Sequence, residues 1–298
     1  MVEVSTLLAT GLFGLQAGLT LALIVTGLSL VFGMMNVVNF AHGALYMLGA
    51  YFGWLLVSDI GIGNFWLAAL VAPLLVGIAA AVIEVFSLRP LYGRNPLDHI
   101  LLTFGVAIII EELIVLLWGA EAKSISAPAL LDGSVTFGSV TYPNYRLFAL
   151  VVSALIIVAI WQLLVRTNIG ILMRASAHDT DMVSALGTDV SKIFIGVFVG
   201  SAALAAFAGV LLAPQGAIAP NLGISVIIDA FAIVVIGGLG SFRGAVLASI
   251  IVGLLTSYTA LFVPAFADMP IFALMIIVLM IKPNGLFGID EAAAAGGH

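Results

Sequence analysis

The sequence of 298 residues contains no cysteine, which excludes a disulfide framework and any thiolate metal site. Charge is nearly as scarce. Asp, Glu, Lys and Arg make up 8% of the chain and hydrophobic residues 63%, whereas soluble domains carry about 25% charged residues. A soluble globular domain is thereby excluded and a polytopic membrane protein indicated. No GxxxxGK[ST] phosphate loop occurs, so any nucleotide chemistry has to come from another chain. No nucleophile–base pair or metal-ligand cluster is evident either, which leaves no catalytic residue to assign. No Lys or Arg precedes the first apolar run. That run is longer than a secretory signal core, so it reads as a retained span. No soluble block is large enough for a second domain, and the expectation is one transmembrane domain over 1–298.

What is present is apolar sequence in long runs. Windows of roughly twenty apolar residues predict spans near 7–33, 43–57, 64–86, 99–118, 147–165, 192–213, 224–238, 244–262 and 270–282. The second, seventh and ninth are short. The fold class is therefore all-α and polytopic, with about eight to nine transmembrane helices. If the spans alternate, Arg89, Arg94, Arg166, Arg174, Lys192, Arg243 and Lys282 fall on one side and Lys123 and Arg146 on the other. The positive-inside rule makes the first side cytoplasmic.

The longest polar interruption on that side runs from Arg166 to Lys192. Asn168 is placed to cap a short helix through Ala175, Asp179 to cap a second, and Gly187 to stop it in a left-handed turn. Ile171, Ala175, Met182 and Leu186 would give the pair a small apolar face that the bilayer does not need. The stretch reads either as a connector or as a docking surface for a soluble partner. Its length, about twice that of the commonest connections, favours docking.

Polar residues inside the spans are the candidates for a solute path, because such groups are costly in lipid unless paired or facing a cavity. Asn36, Asn39, Gly43, Tyr46 and Ala50 share a face if the helix is continuous, with His42 beside it. They form either an interhelical hydrogen-bond seam or a path lining. Glu111 and Glu112 point about 100° apart and so cannot form one paired site. Glu112 shares a face with Gly105 and Gly119, where another helix would pack. Asp229 is a further intramembrane acid, and Glu84 is expected to snorkel at the cytoplasmic interface.

The small-residue pairs Gly196/Gly200, Ala202/Ala206 and Ala205/Gly209 predict close helix packing. The glycines from Gly237 to Gly244 predict a tight cytoplasmic turn between two helices. Residues 120–145, the largest external segment, offer a landing surface for an extracytoplasmic partner.

Several stretches together resemble one family. They are Asn39-Phe40-Ala41-His42-Gly43 through Gly49-Ala50-Tyr51, Arg174-Ala175 closing at Ala185-Leu186-Gly187, Ala205–Leu211, Gly237-Gly238-Leu239-Gly240-Ser241, and Lys282-Pro283-Asn284-Gly285-Leu286-Phe287-Gly288. In this order, over nearly the whole chain, they look like the LivH-type permease of branched-chain amino acid ABC importers. The resemblance implies a multi-pass protein of the bacterial cytoplasmic (inner) membrane. Its implied partners are a LivM-type second permease, two cytoplasmic ATPase subunits and an extracytoplasmic solute-binding protein, with no nucleic acid. It implies no cofactor on this chain, ATP and Mg being held by the ATPases.

The same resemblance makes Arg174, Ala175, Asp179, Met182, Ala185, Leu186 and Gly187 the expected ATPase coupling surface. Asn36, Asn39, His42, Tyr46, Glu112 and Asp229 are the expected path. Two departures stand out: better-known members often have Lys at the position of Asp229, and Gly187 is followed by Thr188 rather than Ile. The first leaves urea, short amides and aromatic acids open as solutes. Taken without the resemblance, the same acids would suit an ion-coupled secondary transporter.

Overall fold

Small residues decide where the helices of this chain meet. In the computed structural model, which describes residues 3–59, 64–137 and 140–288, α1 (Val4–Met35) runs down the centre. Around it lie α2 (Ala41–Trp54, continued by a π turn to Asp59), α3 (Phe65–Ile83), α4 (Pro96–Trp118), α5 (Asn144–Arg166), α8 (Val190–Leu212), α9 (Leu222–Gly237), α10 (Phe242–Phe262) and α11 (Met269–Ile281). Two short helices, α6 (Asn168–His178) and α7 (Thr180–Ala185), fill the loop between α5 and α8, and a hairpin of β1 (Ser134–Phe137) and β2 (Val140–Pro143) precedes α5.

Each predicted span therefore coincides with a helix. Among the described residues, six helices are long and apolar enough to cross a membrane, while α9 and α11 are shorter apolar helices. Residues 1–2, 60–63, 138–139 and 289–298 of the expected 1–298 domain lie outside the described residues.

Gly14 and Gly18 of α1 lie directly on Gly253 and Ser249 of α10, so the two backbones touch along a small-x-x-x-small seam. Gly49 of α2 rests on Ala206 of α8, and Gly209 of α8 on the Tyr46 carbonyl. The Ala202/Ala206 and Ala205/Gly209 pairs thus pack within the subunit. Gly196 and Gly200 do not, since no atom stands where their Cβ would be. They open instead onto an apolar groove between α5 and α8.

The expected continuous helix through Asn36 and Tyr46 does not form. α1 ends at Asn36, whose φ of 51° is left-handed, and residues 36–39 are non-helical. They climb back into the bundle before α2 begins. His42 fixes the depth: its Nε2 lies 3.0 Å from the Ile24 carbonyl. At 1.5 Å rise per residue that is about 16 Å inward from the end of α1.

Non-helical backbone at such depth must find partners inside the protein, and Thr103 of α4 supplies them. Its Oγ1 accepts from the Phe40 N–H at 3.1 Å. It also lies 3.2 Å from the Val38 carbonyl and 2.8 Å from the His99 carbonyl, and donates to one of these.

At the basic end, Gly237 of α9 and Gly244 of α10 touch backbone to backbone, as the glycine-rich turn predicts. Ser241 caps α10 by accepting from the Gly244 N–H at 3.2 Å. The terminal Lys282–Gly288 motif folds back over this turn. Leu286 and Phe287 N–H groups donate to the Ile236 and Gly237 carbonyls at 2.9 and 3.0 Å, satisfying acceptors that the end of α9 leaves open.

Glu84 does not snorkel. It is 0% exposed in a π turn after α3, where Arg89 grips both its oxygens at 3.3 and 3.0 Å and the Tyr92 hydroxyl donates to it at 2.8 Å. Burial first, and then the Glu84 carboxylate, hold the Tyr92 phenol above its ordinary pKa.

Candidate functional site

The α6–α7 pair is built by its caps. Thr167 rather than Asn168 caps α6, its Oγ1 accepting from the Gly170 N–H at 3.1 Å. The reason is steric. Gly170 lies on the Leu163 and Leu164 carbonyls at the end of α5, which leaves one residue for the turn. Asp179 caps α7, accepting from the Met182 N–H at 2.8 Å. Gly187 ends it with φ +85°. The Gly187 N–H donates to Ser184 and the Thr188 N–H to Val183, the paired bonds of a Schellman stop.

With the backbone closed in this way, the side chains sort. Gly170, Met173, Ser176 and Val183 are buried against the bundle. Ile171, Met182 and Leu186 are 54%, 59% and 78% exposed, and Ala175, Ala185 and Gly187 are exposed too. Arg174 turns back, its guanidinium donating to the Leu164 carbonyl. A cation there complements the α5 C-terminus.

The expected path residues do not come together on one face. Asn36 is exposed at the end of α1, whereas Asn39, His42 and Tyr46 are buried. Neither the oxygen nor the nitrogen of the Asn39 side chain has a partner. Because a carbonyl only accepts, the His42 Nε2 facing Ile24 carries its proton. The ring fits because Gly27 lies beneath it. Tyr46 borders a small cavity of about 170 Å³ with Ala50 and Gly209.

The acids sit elsewhere, on helices with bare faces. Glu112 is exposed on α4 and Asp229 half-buried on α9. No atom meets the place of a Cβ on Gly105 or Gly119, so among the described residues no helix packs on the Glu112 face. Glu111 instead turns toward α9. It borders a cavity of about 200 Å³ with Phe40, Phe104, Ile108, Ile224 and Ile228. Phe40 is held there by stacking on Phe231 and by an edge contact with Phe104. Thr103 and this cavity escaped the sequence reading, because both depend on the break in the helix at 36–39. The only local signal was Asn36-Val37-Val38-Asn39, two asparagines flanking a β-branched pair.

Among the described residues, six long apolar helices, acids on open helix faces and a capped helical pair presenting apolar side chains outside the bundle define a multi-pass membrane protein. Residues 11–279 match the family described as the permease component of the branched-chain amino acid transport system. The chain is 34% identical over 292 residues to the high-affinity branched-chain amino acid transport system permease protein BraD of Pseudomonas aeruginosa, covering 93% of this chain and 94% of that protein. It is 32% identical over 294 residues to LivH of Escherichia coli, with the same coverage. LivM of Escherichia coli, a permease protein of the same named system, is 28% identical over 299 residues, covering 91% of this chain and 68% of LivM. The chain belongs to the branched-chain amino acid transport permease family. No solved structure matches it significantly.

Proposed function

We propose that this chain is one of two permease subunits of an ATP-driven importer that moves a branched-chain amino acid inward across the bacterial cytoplasmic membrane. Its partners are a LivM-type permease, two ATPase subunits that hold ATP and Mg, and an extracytoplasmic solute-binding protein. The observation that carries this reading is the α6–α7 pair, whose apolar side chains, Leu186 above all, stand exposed at the basic end of the bundle. An apolar patch there has no lipid to face, and a soluble ATPase is the partner that the family supplies.

Contacts within the chain give the coupling a route. α6 is locked to the end of α5 at Gly170, and α7 leads into α8, which carries α2 through the Gly49 and Gly209 contacts. Movement of the docked pair as the ATPases close therefore displaces packed helices rather than a loose loop. That displacement biases the bundle between inward- and outward-open states. In this proposal the path runs along the bare α4–α9 face against the second permease, with Glu111 and Asp229 on it. Asn39, His42 and Tyr46 anchor the start of α2 behind that face.

The test is the complete assembly in proteoliposomes. Leu186→Asp should lower ATP-driven leucine uptake by more than about tenfold, the order expected for a buried charge at an interface centre, while membrane insertion stays normal. Normal uptake by this variant would return α6–α7 to the status of a connector. Robust uptake by the chain alone, driven by an ion gradient without ATP, would establish a secondary transporter instead.

A further inference from the structure

The cavity between α2, α4 and α9 has a chemistry that the bundle itself does not use. Its walls are apolar, formed by Phe40, Met47, Ile108, Ile224 and Ile228, with Glu111 bordering it. Along α4, Glu111 stands about 10 Å from the outer end and about 22 Å from the basic end, at 1.5 Å per residue, well inside the hydrocarbon thickness. No hydrogen bond or ion pair to Glu111 occurs among the described residues. A carboxylate held at that depth requires a cationic partner or water. The space, about 200 Å³, is below the roughly 300–1,000 Å³ of pockets for drug-sized ligands, so it admits only a small guest.

We propose that this cavity is the membrane-embedded solute site: the branched aliphatic side chain fills the apolar pocket while Glu111 receives the α-ammonium group. The assignment rests on the importer reading above and deepens it. The side chain and the ammonium group of the guest each answer one part of the site, and the α-carboxylate is left to point out of the pocket toward the second permease. An aliphatic amino acid brings both the apolar volume and the cation, whereas a lipid acyl chain would fill the pocket and leave Glu111 unpaired. Phe40 also links the site to the coupling route. It begins α2, and its N–H is tied to Thr103 on α4, so displacement of α2 relative to α4 opens or closes the pocket wall. Glu111, which borders the cavity, takes precedence here over Glu112, which points away on the exposed side of α4.

The experiment uses the full assembly in proteoliposomes, with the binding protein loaded in turn with labelled leucine or labelled valine. Glu111→Gln, which keeps the shape and removes the charge, should lower uptake of both by about tenfold or more, the order of a lost charged hydrogen bond. Glu111→Asp should fall between it and the native protein. Ile108→Trp fills the pocket from its half-exposed rim and should lower the leucine-to-valine uptake ratio at least about fivefold, since one methylene then decides the fit. This ratio holds the proposal to account even if Glu111→Gln fails to assemble.

Two results would overturn the site alone: leucine uptake by Glu111→Gln within twofold of native, or an unchanged leucine-to-valine ratio in Ile108→Trp. The second is the outcome expected if lipid or the second permease occupies the cavity. A native assembly that hydrolyses ATP but takes up neither amino acid would overturn the importer reading itself.

Discussion

α1 and α4 are both apolar enough to cross a membrane, yet 78% of the most apolar window of α1 is buried inside the chain and only 17% of that of α4. Apolarity therefore does not decide which helix sits inside. Side-chain size does. α1 carries Gly14, Gly18 and Gly27 where other helices press against it. Two of its buried hydroxyls are spent internally: Thr20 donates to the Gln16 carbonyl at 2.9 Å and Thr26 to Ala22 at 2.6 Å. α4 presents Leu101, Ile109 and Leu116 outward. In lipid, bringing apolar surfaces together gains little, so close backbone packing selects the interior helix. The lesson reaches the charges as well. Most hydroxyls in the core bond to carbonyls of their own helix, whereas the acids Glu111, Glu112 and Asp229 stand on helix faces left open for another chain or a solute.

The largest effect that separates the two regions is expected from glycine replacement. A Cβ on Gly43 of α2, which is packed in the interior as α1 is, would strike the Gly223 carbonyl, whereas one on Gly105 of α4 meets nothing. Gly43→Leu should abolish folded protein, a loss beyond about 4 kcal/mol of the kind reserved for overpacked cores. Gly105→Leu should be neutral or stabilise the isolated chain by up to about 1 kcal/mol through helix propensity. Size-exclusion profiles and thermal unfolding in detergent check both. Comparable damage from the two would mean that α4 is packed after all.

Much of this was legible in advance for a physical reason. Spans, their order and the basic side follow from composition over windows of twenty residues, and the caps at Asp179 and Gly187 follow from local backbone chemistry. The helix break at Asn36–Asn39 was not legible. Apolar Val37 and Val38 continue the hydropathy of a span, and the partner that stabilises the extended backbone, Thr103, is 63 residues away from Phe40 in sequence. Misjudging that break put Asn36 and Asn39 on a helix face with Tyr46. Gly105 and Gly119, which pack on nothing among the described residues, drew attention to Glu112 rather than Glu111, whose cavity exists only where α2 begins deep in the bundle. Glu84 was misjudged for a similar reason: its partners come from the irregular turn after α3, which periodicity does not predict.

Asn39 gives the next smaller effect and tests whether the buried region is purely structural. Its amide is 0% exposed with both polar atoms unpartnered, a cost of about 1–3 kcal/mol relative to an apolar group of similar size. Asn39→Leu should therefore raise the midpoint of thermal unfolding by a few degrees. If the amide serves the transport cycle, uptake by the assembled importer should fall several-fold in the same variant. Higher stability with unchanged uptake would mark Asn39 as part of the seam alone. Lower stability would mean that the amide has a partner in the membrane.

The smallest effect lies in the α6–α7 pair, which joins a bare helix to a buried one: 22% of the α5 window is buried and 56% of the α8 window. Asp179 fixes the start of α7 through the Met182 N–H at 2.8 Å. Removing such a cap costs about 1 kcal/mol. Asp179→Ala should leave folding of the spans intact and speed hydrogen exchange at the Met182 amide by about fivefold, the population change that 1 kcal/mol produces. Uptake should drop less than with Leu186→Asp, because the docking side chains remain and only their presentation loosens. Unchanged exchange at Met182 would show that α7 is held by the packing of Val183 rather than by its cap. In that case the rigidity needed to pass a push from α6–α7 into both α5 and α8 comes from the packing of Val183 together with Gly170 and Arg174 on the α5 carbonyls.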